Sequence, residues 1–506
     1  MVEERDSSDK EKSLTIGEVL LSADWKVVVG LAFAQAWITV RWFCLSGISF
    51  ASDDIAVSLM SSSCLVATIV LLICALFAVR LDSLALTPRW AVFVGAICLA
   101  AALYVPTHGL SGAGTEAWAL GGGVVTGVGS SLLILSWFAV CAKEGNVANL
   151  SLGFLLAAAL ICVSVVVDEI LPPSMVFDMA FSAAPVLCSS VLLTVKCLGV
   201  NVHGGDDIPT VDPGVSDRVF RYFAKTCLGA LLVGLANELI RFVSPYGPVL
   251  FSTTDSFYWV SVIVLVAVNL GIAKQLASGK PSSFYFVCRG AMVLSIAGAL
   301  LYPYAENANA LMMSISTAGR QCVQILVWII VLQICLKYRQ SVVKLFGGMC
   351  GVWYLGSFLG MLVYRFVGRG PSIGEPFGVE AVSVVAVLLL VLAFGLVFSE
   401  KDSAFVFEKR DLPKRRAKAF TRACERLIEQ GRLTKREGDV LRLLAKGASV
   451  SHIEERLYIS SSTVSTHMKH IYQKLDVHSR GELFDLVERT TALCASEAVE
   501  DDGERN

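Results

Sequence analysis

Ser461, Ser462, Ser465, Thr466, Lys469 and Gln473 crowd into one short stretch near the C-terminus. If 461–475 is helical, Ser462, Ser465, Thr466, Lys469 and Gln473 share one face. Val464, Met468, Ile471 and Leu475 recur at intervals of four, three and four and form the opposite, apolar stripe. Short hydroxyls, a lysine and an amide are the groups that hydrogen-bond base edges in a DNA major groove. His467, His470 and Lys474 line one flank, with Arg480 just beyond, and such residues suit phosphate contacts. The hydroxyl run at 460–463, Ser460, Ser461, Ser462 and Thr463, adds a helix cap and donors for phosphate. Taken alone, the same helix is equally well a polar solvated helix of an ordinary bundle. That alternative fails on the ordered pattern around it.

The surrounding elements give the helix its setting. Thr434 and Glu437 have the spacing of a capping box. Val440, Leu441 and Leu444 follow on one face, and Gly447 ends the helix. A short second helix over 450–457 buries Ile453 and Leu457, and a turn through Tyr458, Ile459 and Ser460 leads to the third at 461–475. A fourth begins near Arg480 and buries Leu483, Leu486 and Val487. Two short helices joined by a tight turn with others behind them predict a helix-turn-helix.

A second set of reactive side chains lies in very different surroundings. Arg41, Glu238, Arg241 and Arg320 interrupt long apolar runs. Ionisable groups inside a bilayer are costly and usually face a cavity or a partner. They predict a pocket for a small polar or anionic ligand, with arginines pairing to its oxygens. Structural pairing, such as Glu238 with Arg241 on one helix face, is the competing reading.

Those apolar runs dominate the chain. Of 506 residues, 55% are hydrophobic and 17% charged, against about 25% charged in soluble domains. Mean hydropathy is +0.66. Twelve stretches are long enough to span a bilayer: 26–48, 55–79, 89–106, 117–142, 147–167, 175–199, 220–244, 256–278, 283–304, 310–336, 341–366 and 379–398. The longest polar loop, Asn201 to Arg218, leaves six on each side. With the C-terminal domain cytoplasmic, an even count puts the N-terminus inside as well. The inner loops then collect Arg80, Arg89, Lys143, Lys196, Arg218, Arg221, Lys225, Lys274, Lys280, Lys337, Arg339 and Lys344. The outer loops at 49–54, 107–116, 168–174, 245–255 and 305–309 carry no Lys or Arg, and only the last outer loop, with Arg365 and Arg369, departs from the cytoplasmic bias. Nothing before the first span reads as a cleavable signal peptide.

The fifteen cysteines show no C-x-x-C spacing, and Cys44, Cys64, Cys98, Cys162 and Cys188 sit in apolar runs, as small packing residues do. Gly121, Gly122, Gly123, Gly127 and Gly129, and Gly356 with Gly360, read as close helix contacts. No nucleophile motif, metal spacing or phosphate-binding glycine loop stands out, so neither an enzyme nor a cofactor or metal is expected.

Two resemblances sharpen these expectations. Residues 433–487 closely resemble the LuxR-type DNA-binding domain, matching it at Leu433, Thr434, Arg436, Glu437, Val440, Leu441, Gly447, Ile453, Leu457, Ile459, Ser460, Thr463, Val464, His467, Ile471, Lys474, Leu475, Val477, Ser479, Arg480, Glu482 and Leu483. The resemblance implies a four-helix fold, base reading through Ser465, Thr466 and Lys469, dimerisation through the fourth helix, and double-stranded DNA and RNA polymerase as partners. Ser465 stands where many members carry Lys or Arg. The six-plus-six arrangement over 26–398 resembles the major facilitator superfamily. That family's loop between spans two and three has a Gly-x-x-x-Asp-x-x-Gly-Arg-Arg-like motif; here it reads Arg80-Leu-Asp-Ser-Leu-Ala-Leu-Thr-Pro-Arg89, retaining an Asp and two Arg without the glycines.

The expected fold class is therefore all-α: a twelve-transmembrane-helix, major-facilitator-like bundle followed by a four-helix LuxR-type domain. The divisions are a cytoplasmic segment at 1–25, membrane halves at 26–199 and 220–398 around a central loop at 200–219, a basic linker with a short helix at 399–430, the helix-turn-helix domain at 431–490 and an acidic tail at 491–506. Lys409 to Arg422 reads KRDLPKRRAKAFTR and suits anionic lipid at the inner leaflet. The whole resembles the membrane-bound LuxR-type regulators. That implies a one-component sensor of an unidentified small molecule in the bacterial inner membrane, acting as a dimer on DNA. A secondary transporter with an appended regulatory domain is the alternative.

Overall fold

The structure is a computed structural model. It describes residues 21–43, 53–103, 115–170, 175–199, 213–243, 263, 266, 267, 271, 281–301, 304, 309–367, 379–397, 412–445, 450–457, 459–479, 481–487, 489–491 and 494. Regular structure among them is entirely helical. The chain divides into two compact units, 1–408 and 409–506.

In the first unit, α1 (Trp25–Phe43), α2 (Asp53–Leu76), α3 (Ala78–Leu84), α4 (Pro88–Leu103), α5 (Thr115–Glu144), α6 (Val147–Ile170) and α7 (Met175–Leu198) make one half. The other half is α8 (Pro213–Val243), α9 (Pro281–Leu301), α10 (Asn309–Tyr338), α11 (Val342–Val367) and α12 (Val379–Val397). Eleven of the twelve expected spans coincide with a described helix; the eighth, 256–278, lies almost wholly outside the described residues. Among the described residues, seven helices are long and apolar enough to cross a membrane, or eight if the pair α3 and α4, bent by 95°, counts as one span. Shorter apolar helices cover 25–39, 147–163 and 289–301. On α12, Val384, Leu388, Val391 and Leu392 point outward and are about half exposed or more. An apolar outer surface is what a hydrocarbon solvent selects. The chain is a multi-pass membrane protein.

Backbone polar groups are satisfied inside the helices, so association rests on close packing and on side-chain hydrogen bonds. The glycines serve the first. A Cβ on Gly127 would sit 2.5 Å from the Ser63 carbonyl oxygen of α2, and one on Gly356 would collide with the Leu231 carbonyl of α8. Indoles and hydroxyls serve the second. Trp137 Nε1 donates to Ser189 Oγ (2.8 Å), which donates to the Gly30 carbonyl (2.9 Å), and this links α5, α7 and α1. Lys196 Nζ lies 2.6 Å from both Asp24 Oδ2 and Glu144 Oε1, so the start of α1 and the ends of α5 and α7 share one end of the first half.

The halves meet chiefly along α2 and α11. At one end of this seam Gly347 and Gly351 bring α11 against Leu71 and Leu72 of α2. Asp82 Oδ1 accepts from Val343 N (3.0 Å) there, so the aspartate retained in the loop between spans two and three caps the first turn of α11. Phe138 of α5 stacks on Phe346 of α11 with ring centroids 3.7 Å apart, and Trp328 of α10 meets Phe346 edge-on. Most of the described cysteines are buried, including Cys64 and Cys98, whereas Cys188 is exposed.

The second unit holds α13 (Leu412–Gln430), α14 (Lys435–Ala445), α15 (Val450–Leu457), α16 (Ser461–Leu475) and a last helix over 481–487. Leu427, Val440, Leu441, Leu444, Ile453, Val464, Ile471, Leu483 and Val487 form its own core. The short helix expected within the basic linker runs from Leu412 and takes in part of the basic stretch. Its apolar stripe of Phe420, Leu427 and Ile428 packs on that core, so the second half of the expected linker belongs to the folded domain.

Candidate nucleic-acid interface and membrane cavity

In the C-terminal domain the capping box starts α14: Thr434 N donates to Glu437 Oε2 (2.8 Å) and Glu437 N to Thr434 Oγ1 (3.4 Å). Ser460 caps α16 by accepting from Thr463 N (3.3 Å), and Asp476 ends it in the left-handed region (φ 53°). Val464 and Ile471 are fully buried, and Met468 and Leu475 lie partly buried beside them. The opposite face is open: Ser461, Ser462, Ser465, Thr466, Lys469 and Gln473 are all exposed. A groove of about 540 Å³ runs beside them, with Met468 and Tyr472 among its lining and Ser465, Lys469 and Gln473 along it.

The hydroxyls divide by what they already do. Ser461 Oγ donates to Glu454 Oε2 of α15 (2.6 Å), Ser462 and Thr463 hydrogen-bond Ser460 Oγ, and Thr466 Oγ1 donates back to the Ser462 carbonyl. Among the described residues, no side chain pairs with Ser465 or Lys469, which leaves both available to a partner. His467 is half-buried, and its Nδ1 lies inside without a hydrogen-bond partner. Arg480 lies outside the described residues.

His470 and Lys474 are not simply placed for phosphate. Lys474 Nζ lies 2.7 Å from Glu437 Oε2, and His470 Nδ1 3.4 Å from Glu437 Oε1. Glu437 is only 4% exposed. Burial alone would raise its carboxyl, but the Lys474 hydrogen bond, the Thr434 backbone and hydroxyl donors and the Lys474 charge outweigh this and hold it at about 2. This carboxylate therefore starts α14 and ties that start to α16. The sequence marked Glu437 as a cap and gave no sign of its second partner. Ser479 and Glu482 repeat the capping pattern at the last helix: Glu482 N donates to Ser479 Oγ (3.1 Å) and His478 N to Glu482 Oε2 (2.8 Å).

In the membrane unit, a cavity of about 50 Å³ lies between the halves. Two of the expected ligand residues line it, Glu238 from α8 and Arg320 from α10, at 5% and 8% exposure. The backbones of Arg41 and Arg241 belong to α1 and α8, and their side chains lie outside the described residues. Polar groups the sequence did not single out complete the lining: Gln35 and Thr39 from α1, Gln321 and Gln324 from α10, and Tyr354 and Ser357 from α11. Gln35 Nε2 donates to Thr39 Oγ1 (3.3 Å), while its buried Oε1 has no hydrogen-bond partner. A buried amide oxygen in that state favours a donor brought by a ligand or water. Phe154 and Trp353 supply aromatic surface to the cavity, and Phe154 also packs edge-on against Trp328 (centroids 5.2 Å).

Comparison with known proteins agrees with this division. Residues 431–487 match the family described as bacterial regulatory proteins, luxR family. The HTH-type transcriptional regulator Rv0890c of Mycobacterium tuberculosis is 47% identical over 55 residues, 11% of this chain and 6% of that protein. The oxygen regulatory protein NreC of Staphylococcus carnosus is 45% identical over 53 residues, 10% of this chain and 24% of NreC. This chain therefore spans only a small part of these relatives. A crystal structure of a bacterial homologue of the iron transporter ferroportin in an outward-facing state superimposes with a TM-score of 0.52 at 11% identity, covering 77% of this chain and all of that one. Such a likeness speaks for fold alone. The chain thus joins a C-terminal LuxR-type helix-turn-helix domain to an N-terminal region with the fold of the major facilitator transporters.

Proposed function

We propose that this protein is a one-component transcriptional regulator held in the bacterial inner membrane, with both termini cytoplasmic. A small molecule enters the cavity between the membrane halves, and the C-terminal domain answers by engaging or releasing promoter DNA as a dimer. The observation that carries this reading is the cavity: two charged groups and several amides and hydroxyls from both halves converge within an apolar bundle. Ionisable groups inside a bilayer usually face a cavity or a partner, and Arg320 and Glu238 line this one. The asymmetry of Lys and Arg between inner and outer loops supports the orientation. Ser465, Thr466 and Lys469 are the base-reading candidates on α16, with phosphate contacts from its N-terminal hydroxyls and from Arg480.

The ligand regulates only if it binds one arrangement of the halves better than the other. Transcription profiling across a panel of small molecules, in wild type and in Arg320→Ala, tests the reading. The expected result is a compound that changes a discrete gene set in wild type and not in Arg320→Ala. An identical response in both strains overturns the pocket assignment. The second reading, a secondary transporter with an appended regulatory domain, draws on the two-half fold. Uptake of that compound into wild-type vesicles would favour it.

A further inference from the structure

Gln35 and Thr39 stand one turn apart on α1 and both line the cavity between the membrane halves. Gln35 is 8% exposed and Thr39 4%. Gln35 Nε2 donates to Thr39 Oγ1 (3.3 Å), which holds the nitrogen end of the amide along its own helix. The oxygen is the end left to an occupant: Gln35 Oε1 is buried and has no hydrogen-bond partner among the described residues. Ile38, Ile161 and Ile325 close around the same space. In apolar surroundings a buried acceptor without a donor is destabilising, and a group that supplies the donor is strongly favoured.

The other half of the bundle asks for the reverse. Arg320 of α10 lines the same cavity at 8% exposure. Whatever else it bonds, a guanidinium is a fork of N–H donors with no acceptor, so an occupant must turn oxygen towards it. At about 50 Å³ the cavity has room for about four waters at roughly 10–15 Å³ each, so both demands fall on one small group.

We propose that the cavity selects a small uncharged group that donates and accepts at once, a primary amide or a hydroxyl. Its N–H or O–H sits on Gln35 Oε1 and its oxygen faces Arg320. This rests on the sensing reading and names the class of its ligand. A carboxylate has oxygen for Arg320 but no proton for Gln35. An amidinium has protons for Gln35 and Glu238 but no acceptor for Arg320. Gln35 is thus a specificity-determining residue, because a site built on a buried acceptor rejects an analogue that cannot donate. Gln35 belongs to one half and Arg320 to the other, so the same group ties the halves together and its binding depends on their arrangement.

The test uses the full-length protein in detergent and isosteric probes titrated by saturation-transfer NMR. Propionamide donates and accepts, butanone and propionate only accept, and propionamidinium only donates. Propane-1,2-diol presents the hydroxyl version of the proposed chemistry. Binding in the cavity is the part that Arg320→Ala removes. Propionamide, the diol or both should bind about five- to 150-fold more tightly than butanone or propionate, and which of them does so tells amide from hydroxyl. Gln35→Met keeps the side-chain length without the oxygen and should erase that preference while leaving propionate unchanged. Gln35→Glu keeps an acceptor oxygen, adds a charge and should move the preference to propionamidinium, which keeps the test alive if the Met variant does not fold. Butanone, propionate or propionamidinium as the tightest wild-type probe, with binding lost in Arg320→Ala, would overturn this ligand class and leave the sensing reading standing. The same preference in wild type and Gln35→Met would also overturn it. If no probe shows binding that Arg320→Ala removes, this inference and the sensing reading fall together.

Discussion

Glu437 offers a prediction whose size can be worked from its surroundings. Glu437→Gln keeps the volume and the capping hydrogen bond to Thr434 N, since Gln serves the box as well as Glu. What it removes is a buried carboxylate 2.7 Å from Lys474 Nζ. A carboxyl brought from 4.5 to about 2 corresponds to at most about 3 kcal/mol of linkage at pH 7. Lys474 is about a third exposed and regains water when its partner goes, so about 2 kcal/mol is expected. For a domain of this size that lowers Tm by about 10 °C. The sign with pH follows from the depressed value: the stabilisation is complete above about 4.5 and fades as pH falls towards about 2. Urea unfolding of residues 409–506, which have their own core, should show the wild-type advantage at pH 7 and its shrinkage between pH 5 and pH 3. Lys474→Met should cost more than the Gln change, because it leaves the carboxylate buried without its cation, and the double variant should recover part of that loss. An advantage below about 0.5 kcal/mol, or one independent of pH, would refute the assignment of Glu437 as the tie between α14 and α16.

Other expectations follow from single features. Reporter fusions after residues 210 and 410 should report the cytoplasm, and fusions near Gly112 and Tyr246 the outside; a periplasmic signal from the 210 fusion breaks the six-plus-six orientation. Asp82→Ala removes the acceptor for Val343 N and should cost about 1 kcal/mol. A thermal-shift assay in detergent checks this, with no change in midpoint counting against the cap. Gly356→Leu drives a side chain into the Leu231 carbonyl, so α8 and α11 must separate and the amount of folded protein in the membrane fraction should fall sharply. Wild-type levels of folded protein would count against that close packing.

Local chemistry was the legible part of this chain. The Thr434–Glu437 box, the Ser460 cap and the buried Val464–Ile471 stripe depend on residues three to seven positions apart, and short-range spacing expresses them directly. Gly127 and Gly356 were legible for a similar reason: a residue without a side chain inside an apolar span has few purposes other than close approach. Partners distant in sequence were not legible. Lys474 reaches a carboxylate 37 residues away and Asp82 a backbone amide 261 residues away, and helical periodicity fixes a face without naming what covers it. Gln35, Gln321 and Gln324 escaped notice because an uncharged amide barely disturbs the hydropathy of a span, yet they line the same cavity as the conspicuous Glu238 and Arg320. The basic stretch looked like a linker because its charges obscured the apolar stripe of Phe420, Leu427 and Ile428 that follows in the same helix.

The central claim is that a chain held in the membrane reads promoter DNA through α16. Chromatin immunoprecipitation of the full-length protein, compared between wild type and Lys469→Ala at matched membrane levels, tests it most directly. Losing a good base contact costs about 1–3 kcal/mol, or roughly five- to 150-fold in affinity. The account predicts discrete promoter peaks for wild type that collapse in Lys469→Ala, while the variant domain keeps its unfolding midpoint. Equal occupancy in the two strains, or no site-specific occupancy by the wild-type protein under any condition that activates its target genes, would contradict it.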